Sequence, residues 1–247
     1  MTLETVVFLV LGAAAGGFIN GLAGTGSALF ALGFYLVVLD PVSAVAVIAL
    51  MAVLTGAQGL WLVREQVVSQ RTRVLHFVVP GLFGVPLGLM LLDHVDASTL
   101  RLAAAVLLIV YGGYFGFRAV LPTVSKPAAW SDALIGLSGG ILGGMAGLSG
   151  ALPTLWLSLR PWPKQVTRAV LQSFNMVILV TTVVLLVFKG AYGVNTIYAL
   201  FITIPAGLMA AQLGLTVYNH LSTAMFRRLL VLMSLMMGLG LLLGEMV

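Results

Sequence analysis

Two runs in this 247-residue chain set glycines beside hydroxyl and amide side chains within otherwise apolar sequence. Residues 16–30 read GGFINGLAGTGSALF and residues 139–153 read GGILGGMAGLSGALP. Aligned without a gap, Gly16, Gly17, Gly21, Ala23, Gly24, Ala28 and Leu29 match Gly139, Gly140, Gly144, Ala146, Gly147, Ala151 and Leu152. That is 7 of 15 positions, where composition alone gives roughly 1 or 2. Gly21, Gly24 and Gly26 predict a turn at φ > 0 that lets backbone approach a ligand closely. Thr25 and Ser27, and in the second run Ser149 and Gly150, fall where a new helix would start, as N-caps do. A helix N-terminus offers free N–H donors and the positive end of its dipole. Two such ends, meeting from opposite repeats, predict an anion site that needs no buried arginine. Asn20, Thr25, Ser27 and Ser149 add amide or hydroxyl contacts.

The predicted substrate-binding residues are therefore Asn20, Gly21, Gly24, Thr25, Gly26, Ser27, Gly144, Gly147, Ser149 and Gly150. Gln172 and Asn175 join them, because they lie three apart and so share a helix face. Thr55, Gln58 and Gln212 are weaker candidates. Each has a plainer reading too: small residues pack helices closely, and amides bond between helices. No catalytic residue, metal ligand or cofactor is predicted.

These groups need helices to hold them in an apolar medium, and the composition supplies both. The chain is 61% hydrophobic and 8% charged, with mean hydropathy +1.15, against about 25% charged residues in soluble domains. It reads as an all-α integral membrane protein, multi-pass in the cell inner membrane, with the lipid bilayer as its main partner. Eight apolar segments run over residues 5–39, 42–63, 74–92, 98–117, 131–159, 165–188, 194–217 and 223–243. A helix over residues 5–39 would be about 52 Å long, too long for one crossing, and the Gly-rich run cuts its middle. The fifth segment is the same. Non-helical backbone survives at membrane depth only where protein buries it or a wet cavity meets it. A Gly-interrupted segment at matching places in two halves points to a transporter's binding site.

Further echoes divide the chain into two repeats of four segments. Pro41 answers Pro163, Pro80 answers Pro205, and DHVDASTLR from Asp93 answers NHLSTAMFR from Asn219. The first repeat is 1–120, the connector 121–127 and the second repeat 128–247. Charge gives their relative sense. If each broken segment crosses once, the twelve bases divide evenly between the faces. If each is a helical hairpin that returns to its starting side, ten collect on one face. These are Arg64, Arg71, Arg73, Arg118, Lys126, Arg160, Lys164, Arg168, Arg227 and Arg228. Arg101 and Lys189 remain opposite, with Glu4, Asp40, Asp93, Asp96 and Glu245. This positive-inside pattern predicts inverted repeats with both termini extracytoplasmic. Parity is the same whether the hairpins are re-entrant or cross twice.

Other chemistries lack their residues. There are no cysteines, and so no disulfides or thiolate metal sites. The three histidines have no metal-ligand spacing. No Walker motif appears, and no Asp or Glu falls in mid-span, which argues against a carboxylate proton relay. His76 reads as a helix-end histidine. The net charge of +5 comes from loop bases that set topology, so no nucleic-acid partner is expected. MTLETVVFLV has no basic n-region, and it is expected to stay as part of the first helix. Pro80, Gly84, Pro86, Pro205 and Gly207 predict helix bends that can serve as hinges.

The paired stretches GGFINGLAGTGSALF and GGILGGMAGLSGALPTL, the second with Pro153, resemble the sulfite exporter TauE/SafE family of membrane permeases. The resemblance covers nearly the whole chain. Phe30 stands where the first repeat of that family often has proline. The resemblance implies export of small sulfur-containing anions such as sulfite or organosulfonates. The residues alone give a small anionic substrate. A proton or sodium coupling ion and a homo-oligomer are both compatible with this reading. An anion channel is the nearest alternative. An intramembrane serine protease is a further one, because Gly147-Leu148-Ser149-Gly150 has the form GxSG. Its nucleophile would need a base, and the only later histidine is His220, in a loop between the seventh and eighth segments.

Overall fold

The computed structural model describes residues 2–116 and 129–220, with Leu235, Leu239 and Leu242. The predicted connector and nearly all of the eighth segment lie outside the described residues. Among those described, regular structure is entirely helical. The helices are α1 (Leu3–Ala23), α2 (Ser27–Val38), α3 (Pro41–Leu62), α4 (Arg64–Ser69) and α5 (Arg71–Leu92). They continue with α6 (Ala97–Gly116), α7 (Ala129–Ala146), α8 (Ala151–Ser158), α9 (Lys164–Phe188) and α10 (Val194–His220). Five of them are long and apolar enough to span a membrane: α1, α3, α5, α9 and α10.

Local chemistry sets several boundaries. Thr2 caps α1 by accepting from the Thr5 N–H at 3.2 Å. Asp40 caps α3 by accepting from the Ser43 N–H at 3.0 Å, with Pro41 in the first turn; proline has no N–H to leave unpaired there. The short exposed α4 fills the turn between α3 and α5 and was not predicted.

The first and fifth segments each fold back on themselves. In the first, a Cβ at Gly12 would touch the Tyr35 ring at 2.5 Å, and one at Gly16 would meet Ala31 Cβ at 3.0 Å. Residue numbers fall on α1 as they rise on α2, so the pair is antiparallel. In the second, Asp132 near the start of α7 accepts from Trp156 Nε1 at 2.7 Å and pairs with Arg160 beyond the end of α8.

The two long arms are held by helices from the other half of the chain. Gly17 lies against the backbone of Gly207 and Gly21 against that of Ala211. Numbers rise together, so α1 and α10 run parallel at near backbone contact. Likewise Gly140 lies against Gly81, Gly144 against Val85 and Gly136 against Phe77, making α7 parallel to α5. With no apolar force to pull helices together in lipid, such small-residue contact supplies the packing. Pro80 and Pro205 lie inside α5 and α10 beside these contacts.

Loops gather at two ends. At one, Thr5, Asp40, Ser43, Lys189, Asn195 and Thr196 help line a cavity of about 710 Å³, and Lys189 pairs with Asp93. At the other, the Arg73 guanidinium stacks on Trp162 at 4.5 Å, and Arg160 packs over Trp156 at 4.7 Å and Trp162 at 5.7 Å. Burial lowers the Arg160 guanidinium from its ordinary value, and Asp132 opposes the shift. α1 begins at the first of these ends. α5 begins at the second and ends at the first, and α7 runs parallel to it.

Candidate functional site

The first break is Gly24-Thr25-Gly26. Gly24 (φ 78°) ends α1, its N–H bonded to Asn20 O at 2.7 Å, and Gly26 (φ 92°) starts α2. The second break starts at Gly147 (φ 69°) and runs to Gly150, which precedes α8. A side chain at any of the three positive-φ positions would be strained. Gly21 differs from the expected turn, while Gly150 stands, as expected, at the N-cap of α8. Gly21 sits in regular helix, and Gly150 has φ −83°. Gly21 is small because α10 presses on it, as α5 presses on Gly144. Gly150 is small because Thr25 occupies the space, 2.8 Å from where its Cβ would stand.

That last contact brings the two breaks together. Thr25 Oγ1 lies 3.3 Å from Thr154 Oγ1 in α8, and a Cβ on Gly147 would be 3.4 Å from Ala28 Cβ in α2. The expected side-chain caps are absent: glycines precede both α2 and α8, and neither helix has a side-chain cap bond. The Ser27 hydroxyl is buried without a partner. The Ser149 hydroxyl donates to Asn175 Oδ1.

α9 supplies one wall. Arg168, Gln172 and Asn175 are buried and follow an i, i+4, i+7 spacing that puts them on one face. Asn175 meets Ser149 of the second break. Gln172 donates through Nε2 to Gly56 O at 2.8 Å, and its Oε1 would lie 2.8 Å from a Cβ on Gly24. Arg168 donates through Nη2 to Gly21 O at 3.3 Å and through Nε to Gln172 Oε1 at 3.4 Å. Its guanidinium stacks on Tyr218 of α10 at 4.2 Å. On the α3 side, Asn20 Nδ2 donates to Ala52 O at 3.0 Å and to Thr55 Oγ1 at 2.6 Å. Gln58 and Gln212 pair with each other at 2.6 Å on the exposed surface.

Arg168 corrects the sequence reading. The sequence reading counts it among the loop bases and predicts an anion site that needs no buried arginine. Instead it is 6% exposed beside the first break. The signal was present: a base one turn before Gln172, on the face already chosen for Gln172 and Asn175. Among the described residues no group of three His, Asp or Glu side chains gathers to hold a metal. The protease arrangement finds no support in the geometry: the Ser149 hydroxyl is committed to Asn175, and His220 Nδ1 lies 2.8 Å from Thr216 O at the exposed end of α10.

Residues 8–241 match the family model of the sulfite exporter TauE/SafE, nearly the whole chain. No curated protein and no solved structure matches it.

Proposed function

The chain belongs to the sulfite exporter TauE/SafE family, and from that membership and the site we propose that it exports a small sulfur-containing anion bound between the two breaks. The family makes it a membrane transporter of sulfite and related sulfur anions. One observation carries the placement of the substrate: the breaks from the two halves abut at Thr25 and Gly150, over the polar face of α9. Backbone turns of this kind at membrane depth need a protein or aqueous lining, and a substrate site supplies a reason for two of them to meet.

The repeats, 1–120 and 128–247 about the connector 121–127, are inverted in this reading, with both termini outside the cytoplasm of a cell whose inner membrane they span. The opposite starting ends of α1 and α7 support it. Transport then proceeds by alternating access, with α1–α10 and α5–α7 moving as glycine-knit pairs. The test is purified protein in liposomes loaded with labelled sulfite, sulfoacetate or taurine. Efflux stimulated by the same anion outside is expected, and it separates a transporter from a channel. Liposomes that retain every sulfur anion would overturn the proposal.

A further inference from the structure

We infer that Arg168 is the charged anchor of the substrate site, binding an oxygen of a small oxoanion through Nη1. This rests on the breaks being the anion site. Arg168 is nine-tenths buried, and its Nη1 atom has no partner. The other nitrogens are committed: Nη2 to Gly21 O and Nε to Gln172 Oε1. The face of the guanidinium is covered by Tyr218. Among the described residues no carboxylate pairs with it. A buried guanidinium without a counter-charge is strongly unfavourable, and the three contacts that hold this one are all to neutral groups. They fix the plane of the fork and leave one edge for an acceptor. With Nε and Nη2 held, the N–H groups of Nη1 are the charged donors left for an anion's oxygen. Gln172 positions the arginine, because it joins Arg168 to Gly56 of α3 and lies against Gly24. Nη1 is enclosed, so the anion reaches it when the Gly24 turn or the Tyr218 end of α10 shifts.

Thermal stabilisation of the purified protein by sodium sulfite at fixed ionic strength tests this, with sodium chloride as the halide control. The wild type is expected to be stabilised by sulfite, and Arg168→Gln to need about 10- to 100-fold more of it. Gln212→Ala should match the wild type. If Arg168 only ties α9 to α1, Arg168→Gln will melt lower without anion yet keep the wild-type sulfite dependence, and the inference fails. If Arg168→Gln does not fold, Arg168→Lys decides, since a single ammonium cannot hold Gly21 and Gln172 and still donate from the position of Nη1. Weakening of about tenfold or more supports the inference, and unchanged affinity overturns it. A wild type unmoved by sulfite also overturns it. An Arg168-dependent sulfite shift in a protein that moves no sulfur anion in liposomes would remove the transport proposal and leave this one standing.

Discussion

Ser149 and the positive-φ glycines give the sharpest residue-scale expectations. Ser149 donates to Asn175 inside the protein, so Ser149→Ala removes one buried hydrogen bond, worth about 0.5–1.5 kcal/mol. Sulfite transport should fall by roughly tenfold or less. Complete loss of function, with labelling of wild-type Ser149 by a fluorophosphonate, would instead assign it as a nucleophile. Gly24 and Gly147 hold left-handed backbone, where a side chain costs roughly 1–2 kcal/mol. A leucine there also runs into Gln172 at the first break and Ile48 at the second. Gly24→Leu and Gly147→Leu should each abolish efflux from liposomes while the protein still purifies as a folded species.

At the scale of elements, the parallel pairs depend on glycines at which even one methyl group has no room. A Cβ on Gly140 would strike the backbone of Gly81, and backbone cannot rotate aside as a side chain can. Gly140→Ala should lower the melting temperature by several degrees. Gly113 of α6 has nothing within 4 Å of its would-be Cβ. Gly113→Ala should be neutral or raise the melting temperature, since alanine gains up to about 1 kcal/mol over glycine in a helix. Equal effects at the two positions would remove the interlock as the basis of the pairing. The breaks offer a second test. The chain has no cysteine, so Thr25→Cys with Thr154→Cys introduces a single possible disulfide. Their hydroxyls lie 3.3 Å apart, and oxidation should join the two hairpins and stop transport, with recovery on reduction. Failure to crosslink would place the breaks apart.

For the whole molecule, the ends differ in charge. Asp40, Asp93 and Lys189 collect at one, and Arg73 and Arg160 at the other. With bases favoured on the cytoplasmic side, reporters fused at residues 1 and 247 should both give extracytoplasmic signals. Cytoplasmic signals from both would reverse the orientation, and one of each would remove the inverted arrangement.

What the sequence by itself determined follows from local rules. A run of apolar residues must become a helix in lipid, because its backbone has no other partner, and a glycine cluster inside it must mark either a turn or a close contact. The first seven segments, as far as the described residues carry them, and the two glycine breaks were legible on that basis, as was the face shared by Gln172 and Asn175. Which glycines turn and which pack was not. Gly21 and Gly24 look alike in sequence, yet one meets Ala211 of α10 and the other adopts φ 78°. The partner of Ser149 and the burial of Arg168 were likewise settled only by tertiary structure. Arg168 reaches Gly21 across 147 positions of chain. A charge near a segment end reads as a loop base until groups that distant close around it, because burial is a property of the packed assembly and no periodicity within α9 encodes it.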